Sequence, residues 1–303
     1  MAKFVPDINT SRWVVIAPSR VQRPTSDDPG SKTLNQISNL HEKKSNCPFC
    51  EGNENLTPPE IWRVGGEGYW NKPGWKVRVV PNKFPITDVH EVIIHSPDNE
   101  KDIVELPLEQ VNLIIQVYRD RYLTRKEDGQ VLIFNNHGLR AGASLKHPHS
   151  QLVVLPRQIN MDTLAREPLN NLVWENSLFS VYCPDFSQWP YEVWIVPKKE
   201  EGKDFSQLEN TEIPELAEVL QTTLQNLKLI SQTEKLKKIN KEADFNYNYY
   251  IVHGKNWYLR IIPRFIDRAG FELGTGLSVN IIDPEIAAEE LSELMKSKKM
   301  YNV

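Results

Sequence analysis

The chain has 303 residues, with 36 basic and 40 acidic side chains and a formal net charge of −4. This length allows one large domain or two ordinary ones, and the proportions of apolar and charged residues are typical of a globular protein. No basic excess is present to attract nucleic acid or an anionic membrane. No apolar run approaches the roughly 18 residues that span a bilayer. We therefore expect neither partner, and an anionic substrate would need cationic groups placed locally.

The ends of the chain and its cysteines indicate a cytoplasmic protein. The first seven residues lack the apolar core of a signal peptide. The three cysteines are Cys47, Cys50 and Cys183. An odd, low count with one close pair argues against a disulfide framework and fits a reducing compartment.

Hydrophobic spacing predicts helices among many short strands. Residues 20–46 are polar and without periodicity, which indicates a loop or arm. Apolar residues at helical spacing predict helices over 107–127 and 212–237, and a shorter helix over 284–296 closes the chain. The remaining segments have the alternation and turn residues of strands.

A degenerate repeat divides the chain into two parts. The order strand–strand–helix–strand–strand occurs twice, which favours two half-domains. The short gaps between paired strands indicate antiparallel sheets. We therefore predict an α+β fold of two fused half-domains, residues 1–165 and 166–303, each an antiparallel sheet with a packed helix. The matching segments are 77–81 with 179–184, 90–94 with 191–195, 131–138 with 248–254, and 151–157 with 258–264.

Only the first repeat carries a cluster of histidines. In a strand, His147, His149 and Gln151 would project from the same face, and Pro148 favours a strand start or edge that a substrate can approach. Under the repeat alignment Asn256 occupies the place of His149. One half therefore carries the reactive site while the other supports it.

The chemistry of this strand suits phosphoryl transfer. A neutral imidazole is a nucleophile toward phosphorus, provided that its second nitrogen is held by an acceptor such as a backbone carbonyl. The amide of Gln151 can donate to a phosphoryl oxygen. The small residues 142–144 just upstream allow backbone N–H groups to approach phosphates. A lone His-x-His would indicate only surface polar groups, but this combination favours nucleophilic catalysis by His149.

The pair Cys47 and Cys50 has the spacing of two ligands of one tetrahedral zinc ion. His147 is the candidate third ligand, because it would anchor the strand of His149. A redox pair is the competing interpretation, but no thioredoxin-like context surrounds the cysteines. We predict one structural zinc site, with the fourth ligand open among three residues: Asn99, His90 and His95.

These motifs together resemble the galactose-1-phosphate uridylyltransferase family of the histidine-triad superfamily, including its bacterial members and ADP-glucose phosphorylase. His147-Pro-His-Ser-Gln151 resembles the His-x-His-x-Gln signature of the family. The resemblance extends over nearly the whole chain. The other similar segments are 7–13, 18–24, 47–50, 80–85, 189–192 and 270–276.

The resemblance implies roles for individual residues. His149 would be the nucleophile and Gln151 its phosphate-binding partner. The fold would be two fused histidine-triad-like halves, and the protein a homodimer. The substrate-binding residues would be Asn136 and Ser144 at the phosphates, Arg20 and Arg23 at phosphoryl or sugar groups, Asn82 and Phe84 at the nucleoside, and Glu272 at the hexose.

The sequence also departs from the family pattern. Asn99 stands where the family has a zinc histidine, so the zinc site would be Cys47, Cys50, His147 and Asn99. The second metal site of many members has no counterpart in the C-terminal half. The sugar-contacting glutamine of the family is not evident around Ser278.

Three functions follow as hypotheses. The first is exchange of UMP between UDP-glucose and galactose 1-phosphate through a nucleotidyl-histidine. The second is an ADP-glucose phosphorylase that uses the same histidine with an adenine nucleotide, and a dinucleoside-tetraphosphate phosphorylase would be a more distant variant. The third is a zinc-stabilised nucleotide-binding protein without catalysis.

Overall fold

The strands and helices of the protein follow the repeat. The computed structural model describes residues 2–7, 12–22, 47–159, 161, 169–198, 202–240 and 244–301. The strands are β1 (Lys3–Pro6), β2 (Trp13–Ile16), β3 (Trp62–Val64), β4 (Val77–Pro81), β5 (His90–Ile94), β6 (Gln130–His137), β7 (His149–Leu155), β8 (Leu172–Glu175), β9 (Phe179–Tyr182), β10 (Val193–Pro197), β11 (Tyr247–Ile251) and β12 (Leu259–Pro263). The helices are α1 (Leu108–Arg125), α2 (Ile213–Ser231), α3 (Glu234–Ile239), α4 (Gly270–Thr275) and α5 (Pro284–Tyr301).

Ten of the strands form one continuous antiparallel sheet. Their order is β3-β4-β5-β7-β6-β11-β12-β10-β9-β8, and β1 pairs with β2 in a separate hairpin. The five strands before residue 156 and the five after residue 171 have the same relative order, and they meet where β6 pairs with β11. The α+β fold with two antiparallel halves is therefore confirmed, and the two sheets are joined into one.

The helices cover one face of this sheet. The helix α1 packs against α2, and α5 packs against α2 and β8. The predicted helix over 212–237 is two helices, because Thr233 caps a new helix with its hydroxyl. None of the helices in the described part of the chain has both the length and the apolar character needed to cross a bilayer.

The opposite face of the sheet carries the polar residues of β7. Leu152 and Val154 point into the main core with the helices, so the alternation of a strand turns His149 and Gln151 to the other face. There a second, smaller core of five buried residues covers part of the sheet: Phe49, Trp75, Val80, Val92 and Ile94. Phe49 brings the Cys47–Cys50 segment onto this face, next to β7.

Candidate active site

His149 is the first residue of β7, and its imidazole has a defined tautomer. Its side chain lies in a nearly closed environment, with 7% of the residue exposed. The ring nitrogen Nδ1 lies 2.9 Å from the carbonyl oxygen of His147, so in the neutral ring Nδ1 carries the hydrogen and donates it. The lone pair is then on Nε2. The ring of Phe49 meets His149 edge-on, with centroids 5.1 Å apart, and restricts its rotation.

Gln151 is held in one orientation by His90 of β5. The backbone N–H of Ile86 donates to His90 Nδ1 at 2.9 Å, so the hydrogen of the neutral ring is on Nε2. This Nε2–H donates to Gln151 Oε1 at 2.9 Å. Because the amide oxygen is committed to His90, the NH2 group of Gln151 is the end left to donate to a substrate.

The turn after β4 is tied to the same network. Asn82 donates its backbone N–H to the carbonyl of His90 at 2.8 Å, and its Oδ1 accepts from the N–H of Phe84 at 2.8 Å. Arg20 donates to the carbonyl oxygen of Phe84 at 2.7 Å. The structure thus brings three of the predicted substrate-binding residues to this turn, whereas Arg23 lies outside the described residues.

The loop between β6 and β7 contains two glycines in the left-handed backbone region. Gly138 and Gly142 have φ of +85° and +81°, which residues with a Cβ rarely adopt. At Gly138 any Cβ would also collide with the side chain of Asn246. Ser144 of this loop lines a cavity of 580 Å³ that opens beside the strand end.

Asn136 extends the polar surface of β7 onto the next strand. It is half-buried, and its Oδ1 accepts from Asn248 Nδ2 at 2.7 Å. Asn135 pairs with Ser150, so Asn136 and His149 are the next residues along β6 and β7. The amide NH2 of Asn136, like that of Gln151, is therefore the donor end left on this face.

Cys47, Cys50 and His147 form a group that could hold a metal ion. Their ligand atoms lie within 4.8 Å of one another. His147 Nδ1 is 3.5 Å from the Cys47 sulfur and 3.7 Å from the Cys50 sulfur. Its Nε2 donates to the carbonyl of Ser96 at 2.8 Å, so the Nδ1 lone pair faces the sulfurs. Burial, chiefly, lowers the pKa of His147, which favours the neutral ring that a metal ligand needs.

The three residues considered for the fourth ligand lie in different places. Asn99 is half-buried, three residues beyond Ser96. His90 bonds to Gln151 instead. His95 is on the helix side of the sheet, where its Nε2 contacts Ser150 and Tyr118 at 2.8 and 3.0 Å. Neither histidine belongs to the metal-binding group found among the described residues.

Among the described residues, no hydrogen bond or ion pair joins Glu272 to His149, Gln151 or the residues around them. Its carboxylate accepts from the backbone N–H of Ala269 at 3.0 Å and caps α4. Its predicted contact with a hexose stays a prediction.

Two residues near His149 were not predicted for this role from the sequence. His90 was considered only as a metal ligand, and Asn248 was not considered. Their place in the site depends on the pairing of β5 with β7 and of β6 with β11, which no local pattern specifies.

Comparison with known proteins finds similarity over most of the chain. Residues 86–156 match the family model described as the N-terminal domain of galactose-1-phosphate uridyl transferase. The ADP-glucose phosphorylase of Arabidopsis thaliana is 27% identical, over 94% of this chain and 91% of the relative. The galactose-1-phosphate uridylyltransferase of Thermotoga maritima is 26% identical, over 94% of this chain and 96% of the relative.

The chain is similar to the galactose-1-phosphate uridylyltransferases. The resemblance inferred from the motifs is thereby confirmed. A crystal structure of an Arabidopsis thaliana ADP-glucose phosphorylase with bound ADP-glucose has a TM-score of 0.68 with 24% identity, covering 97% of this chain and 99% of that one, and so shares the fold. The names of these relatives support a nucleotidyltransferase or phosphorylase. The segment of this chain that matches the family model contains His90, His149 and Gln151.

Proposed function

We propose that the protein transfers a nucleoside monophosphate from a nucleotide sugar to a sugar phosphate or to inorganic phosphate, with His149 as the covalent carrier. The observation that carries the proposal is the hydrogen bond from His149 Nδ1 to the carbonyl of His147. It holds the ring in the tautomer whose Nε2 is the nucleophilic atom. The oriented amide of Gln151 on the same face adds a donor for the developing phosphoryl charge.

The first half-reaction would consume the nucleotide sugar. The Nε2 lone pair of His149 attacks the α-phosphorus, and the bond from that phosphorus to the bridging oxygen breaks. The sugar 1-phosphate leaves with the electron pair. The carbonyl of His147 stabilises the positive charge that the ring acquires, because the Nδ1 hydrogen still points at it.

The second half-reaction would regenerate the histidine. A phosphate oxygen of the acceptor attacks the nucleotidyl phosphorus, and the P–N bond breaks. The electron pair returns to Nε2 and His149 is again neutral. Because the acceptor takes the place of the departed sugar phosphate, the same amides serve both steps, as in a ping-pong reaction.

We propose zinc as the metal of the Cys47, Cys50 and His147 group, with Asn99 as the fourth ligand implied by the resemblance. With zinc–sulfur bonds of about 2.3 Å and zinc–nitrogen bonds of about 2.1 Å, a tetrahedral site separates nitrogen and sulfur by about 3.6 Å. The observed separations of 3.5 and 3.7 Å fit that geometry. The ion would be structural: it would hold His147, whose carbonyl orients His149.

Two nucleotide sugars are candidates for the donor. The first is UDP-glucose, with galactose 1-phosphate as acceptor, which the similarity to the Thermotoga maritima uridylyltransferase supports. The second is ADP-glucose with inorganic phosphate as acceptor, which the similarity to the Arabidopsis thaliana phosphorylase supports. The catalytic groups are common to both, so they differ in the base and acceptor pockets.

One experiment tests the proposal and separates the donors. The protein is incubated with UDP-glucose or ADP-glucose, quenched in alkali and measured by intact mass. A UMP increment supports the first donor and an AMP increment the second, and His149→Ala must abolish either. No increment with either nucleotide, from folded protein, would leave only a zinc-stabilised binding protein.

A further inference from the structure

Polar side chains continue across the sheet from His149 into the C-terminal half. Asn136 lies on β6, next to His149 on β7, and is bonded to Asn248 of β11 at 2.7 Å. Oδ1 of Asn248 accepts from Nη1 of Arg264 at 3.4 Å. With about 4.8 Å between neighbouring strands, Asn248 is roughly 10 Å from His149. The turn after β4, which contains Asn82, is on the other side of β7.

Arg264 is half-buried and has no carboxylate partner among the described residues. The interior arginines Arg78, Arg121 and Arg260 each contact a glutamate at 2.6 to 2.7 Å. The acid near Arg264 is Asp267, which pairs with Arg140 at 2.7 Å. The Nε of Arg264 is buried without a hydrogen-bond partner. Burial lowers the pKa of Arg264, and the nearby Asp267 only partly offsets the desolvation of the guanidinium.

The surroundings of Arg264 are positively charged and aromatic. The guanidinium groups of Arg264 and Arg268 both lie against the ring of Trp189, with their Cζ atoms 4.6 and 4.8 Å from the ring centroid. Arg140 and Arg268 are close enough to lower the pKa of Arg264, and Asp267, the acid that raises this pKa, is paired with Arg140. A local cationic site of this kind is what an anionic substrate needs on a chain with a net charge of −4.

We propose that Arg264 binds the phosphate group that is not transferred: the second phosphate of the nucleotide sugar, and later the phosphate of the acceptor. This inference rests on the proposed function. A nucleotide sugar lying across the strands would place its nucleoside near Asn82 and its α-phosphorus at His149. Its second phosphate then extends over β6 toward Asn248 and Arg264, whose forked donors suit a phosphate.

The same placement gives the C-terminal half a direct part in binding. If Arg264 only packed against Trp189, replacing it would change the affinity of the protein for mono- and diphosphates equally, because the guanidinium would contact neither ligand. If Arg264 binds the second phosphate, its replacement should weaken binding of the diphosphate alone. The ligands that separate the two are nucleoside monophosphates and diphosphates, which differ only in that group.

The test measures binding of AMP, ADP, UMP and UDP by calorimetry, in chains that also carry His149→Ala so that no covalent adduct forms. We expect the chain with native Arg264 to bind the diphosphate of the preferred base more tightly than its monophosphate. With Arg264→Gln this preference should fall by about ten- to a hundred-fold, the value of one or two charge-assisted hydrogen bonds. Affinity for the monophosphate should stay within about two-fold.

Arg268→Gln is the matched control, because Arg268 is stacked on the same ring but bonds to Gln188 and Ser278 and is exposed. It should retain most of the preference. Equal losses in the two variants, or equal weakening of mono- and diphosphate by Arg264→Gln, would overturn the assignment. If the chain that keeps Arg264 binds none of the four nucleotides, the proposed function itself fails, and this inference fails with it.

Discussion

His147 and His149, two residues apart on the same strand, present opposite nitrogens to their surroundings. His147 donates from Nε2 to the carbonyl of Ser96 and turns Nδ1 to the cysteines. His149 donates from Nδ1 to the carbonyl of His147, which leaves the lone pair on Nε2. Under the proposed function, the backbone acceptors would therefore direct the lone pair of one histidine toward a metal and that of the other toward phosphorus.

At the residue scale, the first expectation concerns His90. The change His90→Phe keeps a planar ring but removes the donor that fixes the oxygen of Gln151. We expect the rate of nucleotidyl-histidine formation to fall by about ten-fold, since the amide can then present either end to the phosphate. The measurement is single-turnover intact mass. His253→Phe, on the opposite half of the chain, is the control, and an unchanged rate in His90→Phe would refute the role.

The second expectation at this scale concerns the pH dependence of stability. Burial, chiefly, holds the pKa of His95 well below its usual value, so the folded protein keeps this ring neutral. The unfolded chain takes up the proton below about pH 6.5. The stabilisation is therefore present above that pH and is lost as pH falls below it toward the lower folded-state pKa.

Replacing His95 should reduce this dependence. With His95→Gln, the loss of unfolding free energy between about pH 7 and pH 5 should be smaller by up to about 1.4 kcal/mol per pH unit. Urea unfolding at the two pH values measures it. The variant is expected to be less stable at both values, so the slope is the quantity compared. An unaltered slope would contradict this, because it would mean that His95 takes up its proton equally in the folded and unfolded states.

At the scale of elements, the Cys47–Cys50 segment and the start of β7 depend on each other. Phe49 packs against the rings of His147 and His149, with centroids 6.1 and 5.1 Å apart. A metal ion held by this group would fix both the carbonyl that orients His149 and the ring that covers it. Metal binding and catalysis should therefore be lost together.

This gives a third expectation. Cys47→Ser should abolish binding of about one equivalent of metal, lower the melting temperature by at least about 5 °C and slow adduct formation. Metal analysis, calorimetry and intact mass measure the three effects. Cys183→Ser is the control, because Cys183 is buried in the main core outside the metal group and its replacement should leave the metal content unchanged.

The sequence predicts elements better than their contacts. The helix predicted over 107–127 is found as α1, because its apolar spacing is a local property. The break at Gln232 was missed, since the capping hydroxyl of Thr233 interrupts an otherwise continuous helical pattern. The motif gave His149 and Gln151, whereas the bond to His90 joins residues 61 apart in the chain and depends on which strands pair.

At the scale of the whole molecule, the continuous sheet joins the predicted halves 1–165 and 166–303. Separating them would expose the unpaired edges of β6 and β11 and the contact between α1 and α2. We propose that these halves do not fold independently. The polar residues from His149 to Arg264 cross the same boundary, so the proposed site would also need both halves.

The fourth expectation follows from this. Thermal unfolding of the full chain should give one calorimetric transition whose van't Hoff and calorimetric enthalpies agree. The fragment 1–165 alone should be unfolded or aggregated, because an open sheet edge pairs with other chains. Two resolved transitions, or a soluble and cooperative fragment, would contradict the coupling of the halves.

The order of strands is the same when counted from either edge toward the β6–β11 pair. Two identical half-length chains related by a twofold axis would associate in this way, each offering the same edge to the other. Once such copies share one polypeptide, evolution can alter them separately. Under the proposed function, one copy would keep the nucleophile, and the other, with Asn256 at the position that aligns with His149, would supply an arginine to its neighbour.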